Sequence, residues 1–260
     1  MVSTLDWGGK LGMMWANQAD AQDRLLGPIG DVGIASLGNI KGKRILDIGC
    51  GAGATSLAMA KAGAVVVAVD ISEDLLAKAA ARDVDQTCTF LLSDAATTDF
   101  DQPFDMIYSR FGAMFFPDPV AAWTHLRGQL VAGGQAVVVC WRDASLNEWV
   151  TFPLAAAATI LGDADSKTSP SGVPGPFAWA DKQVFTEIFE KSGWAVSAEK
   201  VAGELIVGKG PDAVAEAAQY LTQVGPLGSR LKSLSAETRV SVIEALSVAL
   251  KAKLANEQIR

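Results

Sequence analysis

Between residues 39 and 145, short continuous apolar runs alternate with stretches whose apolar residues recur every three or four positions. The runs at 44–48, 64–69, 89–92, 104–108 and 135–141 are far too short to cross a bilayer and fit strands buried on both faces. The stretches between them read as helices. One starts near Thr55 and stops at Gly63. The next follows Ser72, a good N-cap, with Glu73 and Asp74 in its first turn. A third covers 118–130 and stops at Gly133-Gly134. Repeated strand–helix alternation of this kind predicts a parallel sheet with right-handed crossovers.

The flanks differ. Residues 7–38 read as one or two short helices punctuated at Gly27-Pro28. The span 162–177 is polar and full of turn formers, and a loop of that length predicts a functional or mobile segment, a lid in the simplest form. Asp181 caps a helix to about Lys191, strands follow at 194–199 and 204–207, and helices cover 211–223 and 235–257. In the last, Ile243, Leu246, Leu250 and Leu254 are placed on one face, which packs on the domain or on a second copy of the chain and so leaves a homodimer open. The expected organisation is one domain over 1–260: a helical cap at 1–38, an α/β core at 39–208 with the insertion at 162–177, and a helical extension at 209–260.

With 260 residues, half of them hydrophobic, the chain has ample material for a core without metal or disulfide staples. Its formal net charge of −7 and its lack of any Lys/Arg-rich run argue against sequence-independent nucleic-acid binding. The three cysteines, Cys50, Cys88 and Cys140, form no CxxC pair, which points to the reducing cytosol. No secretory signal, membrane segment or zinc-ligand spacing is visible in the sequence.

The chemistry concentrates where the first strand runs into Gly49-Cys50-Gly51-Ala52-Gly53-Ala54. Glycines there let the backbone take positive φ and let a ligand approach closely. The loop satisfies both GxGxxG/A, the dinucleotide fingerprint, and GxGxG, found in enzymes that use S-adenosylmethionine, and the glycines alone do not separate them. Asp47 favours the second: a carboxylate beside a pyrophosphate is repelled, whereas one beside an ammonium and a sulfonium helps to neutralise them. Asp70, ending the second strand, suits the ribose hydroxyls of either ligand. Asp94, ending the third, suits an adenine amine, with the Ala95 N–H toward the ring. His125 falls mid-helix among Trp123, Leu126 and Leu130 and reads as structural, so no catalytic base is assigned.

Ile45 to Gly53, Val69-Asp70-Ile71-Ser72, Ser93-Asp94-Ala95 and Phe104 to Ser109 together resemble the class I S-adenosylmethionine-dependent methyltransferases. Ser109 to Phe116, Cys140-Trp141-Arg142 and Pro174-Gly175-Pro176-Phe177 look like a bacterial small-molecule group within them. The resemblance implies a Rossmann-like, doubly wound, seven-stranded sheet whose reversed last hairpin comes from the strands beginning at Trp194 and Glu204. It implies S-adenosylmethionine as cofactor, S-adenosylhomocysteine as product and a small-molecule methyl acceptor. Asp47, Gly49, Cys50, Gly51, Gly53, Asp70, Ile71, Asp94, Ala95 and Ser109 are the candidate cofactor-binding residues. Trp15, Arg110, Phe111, Met114, Trp141, Arg142 and Trp149 are the candidate acceptor contacts; Arg110 and Arg142, ending adjacent strands, either pair around an anionic group or form ion pairs of their own. The rival readings are an NAD-dependent oxidoreductase and a non-catalytic donor-binding module.

Overall fold

A computed structural model describes residues 6–162 and 172–260. In chain order the elements are α1 (Lys10–Asn17), α2 (Ala19–Ser36), β1 (Arg44–Ile48), α3 (Ala54–Lys61), β2 (Val65–Asp70), α4 (Glu73–Arg82), β3 (Cys88–Leu92), β4 (Phe104–Arg110), α5 (Pro119–Gly128), β5 (Leu130–Val139), α6 (Glu148–Leu161), α7 (Lys182–Lys191), β6 (Gly208–Lys209), α8 (Ala213–Gln223), α9 (Gly225–Leu231), α10 (Ala236–Lys253) and β7 (Gln258–Ile259). They fall into two units. Unit 1 comprises the described residues of Met1–Trp141 and Ser171–Val201, and unit 2 those of Arg142–Pro170 and Ala202–Arg260.

Unit 1 is a five-stranded, wholly parallel sheet in the order β3-β2-β1-β4-β5. Strand alternation divides its core in two. Leu46, Ile48, Val67, Val69 and Ile107 pack with Trp123 and Leu126 of α5 and Phe189 of α7. Ile45, Val66, Ala68, Met106 and Tyr108 pack with Met59 of α3, Leu76 of α4 and Leu37. The caps follow local chemistry: Ser72 accepts from the Leu75 N–H, Asp118 from Ala121 and Asp181 from Gln183.

Five strands replace the expected seven. Residues 194–207 form no ladder with the sheet, although Trp194 and Val196 still pack on the core, as their alternation requires. Alternation fixes which side chains are buried, but pairing also needs a neighbouring strand edge, and this segment passes from unit 1 to unit 2 at Ala202. Only Gly208–Lys209 pairs, antiparallel to Gln258–Ile259 in unit 2. The insertion at 162–177 falls largely on 163–171, outside the described residues.

Two glycine-rich signals carry a different meaning from the one expected. Gly27-Pro28 does not break α2, which continues through it. Gly30 and Gly33 instead let the helix lie against the sheet: a Cβ there would stand 2.9 Å from Arg110 Nη1 and 2.7 Å from the Tyr108 hydroxyl. The Tyr108 hydroxyl donates to the Gly30 carbonyl at 3.2 Å, and Arg110 Nη1 donates to that of Leu26 at 3.2 Å. Gly133-Gly134 likewise lies inside β5 rather than before it, where the register slips: Leu130 pairs with Phe104, but Gln135 pairs with Met106.

Unit 2 packs α10 against α6 and α8, and joins α8 to α9. The buried row of α10 is Val242, Leu246 and Leu250, at i, i+4 and i+8. Ile243 and Leu254 are 40% and 46% exposed, the first rotated off the row and the second past the last helical residue. Among the described residues, no helix is long and apolar enough to cross a membrane.

Candidate functional site

Ile45 and Asp47 share one face of β1, and by the same parity Ala68 and Asp70 share it on β2, and Tyr108 and Arg110 on β4. Two carboxylates and a guanidinium therefore emerge together at the C-terminal edge of the sheet, where the strand order reverses between β1 and β4. In open α/β sheets this crevice is where ligands bind.

Asp47 is 1% exposed. Its Oδ2 accepts from Thr55 Oγ1 at 2.9 Å and Ser56 Oγ at 2.6 Å, both on the first turn of α3, while its Oδ1 is buried with no hydrogen-bond partner. Burial pushes the carboxyl up to about 6, against the pull of the Ser56 and Thr55 hydroxyls and the Arg110 charge. An unpartnered buried acceptor of this kind favours a cationic donor.

The loop after β1 is held internally. The N–H groups of Gly49 and Cys50 both donate to the Val69 carbonyl, at 2.9 and 3.1 Å. Gly51 N–H donates to Asp70 Oδ2 at 2.8 Å, and Ser72 N–H to Asp70 Oδ1 at 2.9 Å. Burial raises the Asp70 carboxyl, and these N–H groups oppose the rise. Gly49, Gly51 and Gly53 all take positive φ, +65°, +55° and +81°, but for different reasons. A Cβ on Gly49 would lie 2.7 Å from Gly112 Cα, and one on Gly53 would lie 2.9 Å from Ala79 Cβ, whereas one on Gly51 would meet nothing within 4 Å. Gly49 and Gly53 are packing glycines; Gly51 presents open main chain. Cys50 is buried and its thiol is pushed well up by desolvation, so its backbone carries its part in the loop.

The remaining expected residues divide. Ile71, beside Asp70, is 48% exposed. Ser93 N–H donates to the Asp70 carbonyl at 3.0 Å, which ties the end of β3 to the end of β2 and sets Asp94 and Ala95 next to Asp70. Asp94 is exposed and accepts from Ala96 N–H at 2.9 Å, and Ala95 is buried. Ser109 does not face the crevice as expected. Fully buried, its hydroxyl donates to the Ile48 carbonyl at 2.9 Å and accepts from Ala113 N–H at 3.0 Å, pinning the turn after β4 to the end of β1.

Arg110 takes the second of the two alternatives, an ion pair of its own. Its parity turns it toward α2, where it meets the Leu26 carbonyl and the Asp23 carboxylate, Nη2 to Oδ1 at 3.8 Å. Arg82 reaches the same Asp23 at 2.6 Å, pairs with Asp20 and donates to the Ala52 carbonyl at 3.0 Å. Arg110 thus anchors the helical cap. Phe111, at φ +62°, a strained value for a bulky residue, stacks on Trp141 with ring centroids 4.3 Å apart. Met114 is buried in the turn after β4. Trp15 packs with Ala52 of the loop and lies 5.6 Å from Trp7, which contacts Phe115 at 5.0 Å. Arg142 and Trp149 belong to unit 2, where Arg142 is exposed and the Trp149 ring lies over Gly225. His125 holds the Thr98 carbonyl through Nε2 at 2.8 Å.

Residues at three places, four in all, carry roles that the sequence does not announce. Thr55 and Ser56 were legible as a helix start but not as donors to Asp47. Gly112 is required because a Cβ would lie 2.7 Å from the Ile48 carbonyl and 2.8 Å from Gly49 Cα. The third is Gln22 on α2, 6% exposed, with neither amide atom hydrogen-bonded.

The fold and crevice define a Rossmann-like domain with a glycine loop and strand-end carboxylates at the point where the strand order reverses. Residues 46–138 match the family model described as "Methyltransferase domain". An uncharacterized protein of Mycobacterium tuberculosis is 35% identical over 133 residues, 49% of this chain and 48% of that one. The cypemycin N-terminal methyltransferase of a Streptomyces species is 26% identical over 184 residues, covering 65% of this chain and 75% of that protein. The solved YcgJ protein of Bacillus subtilis shares the fold at a TM-score of 0.54 and 20% identity, over 82% of this chain and 86% of that one. The chain spans about half the length of the mycobacterial relatives it matches. The matched segment is similar to the S-adenosylmethionine-dependent methyltransferase family. The residues present fit that family's cofactor: Asp47 Oδ1 has no partner for a cation to displace, and Gly51 leaves main chain open for close approach.

Proposed function

We propose that this chain transfers a methyl group from S-adenosylmethionine to a small-molecule acceptor. The observation that carries the reading is the buried, unpartnered oxygen of Asp47 at the head of the glycine loop, which suits a positively charged ligand and opposes a pyrophosphate. When bound, the cofactor supplies a methyl carbon already activated by positive sulfur, open to in-line displacement.

The chain's task is then alignment and exclusion of water, for which positioning alone contributes roughly 7–11 kcal/mol. Gly51 offers the main-chain face, and Asp47 balances charge. Asp70 holds the ribose hydroxyls with the lone pairs its N–H partners leave free, and Asp94 with Ala95 takes the adenine edge. Trp15, Phe111, Met114 and Trp141 form the aromatic and sulfur-rich wall of the acceptor side, suited to a cationic or amine-bearing partner. Ser109 and Arg110 position these elements without touching the ligand. The chain acts on its acceptor in the cytosol.

Calorimetry with S-adenosylhomocysteine against NAD tests the reading: the sulfur ligand binds and NAD does not, and the reverse result sinks it. Asp70→Ala weakens S-adenosylhomocysteine by about 1.5–3 kcal/mol, as expected for hydrogen bonds to a charged group. Unchanged affinity would remove Asp70 from the site.

A further inference from the structure

We propose that Gln22 reads the amino-acid tail of the methyl donor, its carboxamide completing with Asp47 a polar socket between α2 and the glycine loop. The inference rests on the functional reading above.

Gln22 is 6% exposed, and neither its amide nitrogen nor its amide oxygen has a hydrogen-bond partner. Buried carboxamides are costly when both ends are unmet, so such a group marks a place where a polar partner belongs. The contacts of α2 place it. Residues 19, 22 and 26 share one helix face. Ala19 packs with Ala52 of the glycine loop. The Leu26 carbonyl accepts from Arg110, and the neighbouring Asp23 is held by Arg82, which also grips the Ala52 carbonyl. Gln22 is thereby fixed between the loop and the end of β4. The second observation is independent of the helix: Asp47 Oδ1, at the end of β1, is also buried and unpartnered.

One donor-plus-acceptor carboxamide and one lone carboxylate oxygen match a zwitterionic α-amino acid. The amide N–H groups donate to its carboxylate, and Asp47 accepts from its ammonium. A nucleoside without that tail leaves both groups unmet.

The test compares S-adenosylhomocysteine with 5′-methylthioadenosine, which keeps the nucleoside and lacks the amino-acid tail, by calorimetry on wild type and Gln22→Leu. Gln22→Leu is expected to lose about tenfold to a hundredfold in affinity for S-adenosylhomocysteine and none for 5′-methylthioadenosine. The melting temperature of the ligand-free protein stays level or rises, because an apolar side chain replaces an unmet polar one. Gln22→Glu places a negative charge against the carboxylate and loses more than Gln22→Leu. Equal loss of both ligands, no loss of either, or a ligand-free Gln22→Leu that is destabilised or fails to fold would each overturn the assignment, the last because it means the amide is satisfied within the protein. Wild type that binds neither ligand overturns the functional reading itself.

Discussion

Gly49→Ala is expected to destabilise the chain by about 2–5 kcal/mol, the sum of a left-handed backbone forced on a residue with a Cβ and a clash that must be relieved by main-chain movement. Gly51→Ala is expected to cost about 1–2 kcal/mol in stability, from the backbone alone, and about a hundredfold in affinity for S-adenosylhomocysteine. The two residues are two positions apart in one motif and both take positive φ, at +65° and +55°. What separates them is the neighbour. The methyl added at 49 lands 2.7 Å from Gly112 Cα, whereas the one added at 51 meets nothing within 4 Å and would stand in the place proposed above for the ligand. Urea titration reads the first effect and calorimetry the second. Equal stability losses in the two variants, or full binding by Gly51→Ala, would contradict this division of labour.

The second large effect is the pH dependence set by Asp47. Its folded-state carboxyl lies at about 6, above the ordinary 3.8, because burial disfavours the charged form. Between those values the folded protein holds the proton more tightly than the unfolded chain, so its contribution to stability is fully present below pH 3.8 and is lost as the pH rises through 6, a swing of about 3 kcal/mol. Asp105, hydrogen-bonded by Arg44 N–H and Lys43, runs the opposite way: its carboxyl is held low, and its stabilisation is lost in acid. The informative quantity is therefore the difference between wild type and Asp47→Asn. Relative to that variant, wild type should grow less stable from pH 4 to pH 6 while its affinity for S-adenosylhomocysteine grows over the same range, since a cationic ligand selects the ionised carboxyl. Asp47→Asn removes both slopes and weakens binding about tenfold or more. Parallel stability curves, or affinity indifferent to pH, would show that Asp47 meets no cation.

The strands of the parallel sheet, the caps at Ser72 and Asp181, and the glycine loop are readable from residue order because each depends on neighbours within a few positions. The side-chain destinations were less so. Position at a strand end marks Arg110 and Ser109 as near a ligand, but strand parity turns Arg110 to α2, and the Ser109 hydroxyl bridges two strand ends. Gly112 and Gln22 carried no local signal: a lone glycine after a strand and a lone glutamine in a helix gain meaning only from chain 60 residues away or from an absent partner. The expected closing hairpin failed for a related reason. Alternation at 194–207 records burial, but whether a strand forms depends on an edge that sequence spacing does not reveal. The helix α6 and the short α9 are not signalled by the sequence; each carries a proline, at 153 and 226, that reads as a break.

The interleaving of the two units has a consequence for how the molecule is made. Trp141 ends a segment that already contains every strand of the parallel sheet, yet α7, with Phe189 against Trp123, arrives only after the chain has visited unit 2 and returned. During synthesis that face of the sheet is therefore covered by α5 without α7 for some fifty further residues, and no single cut in the gene separates one unit from the other.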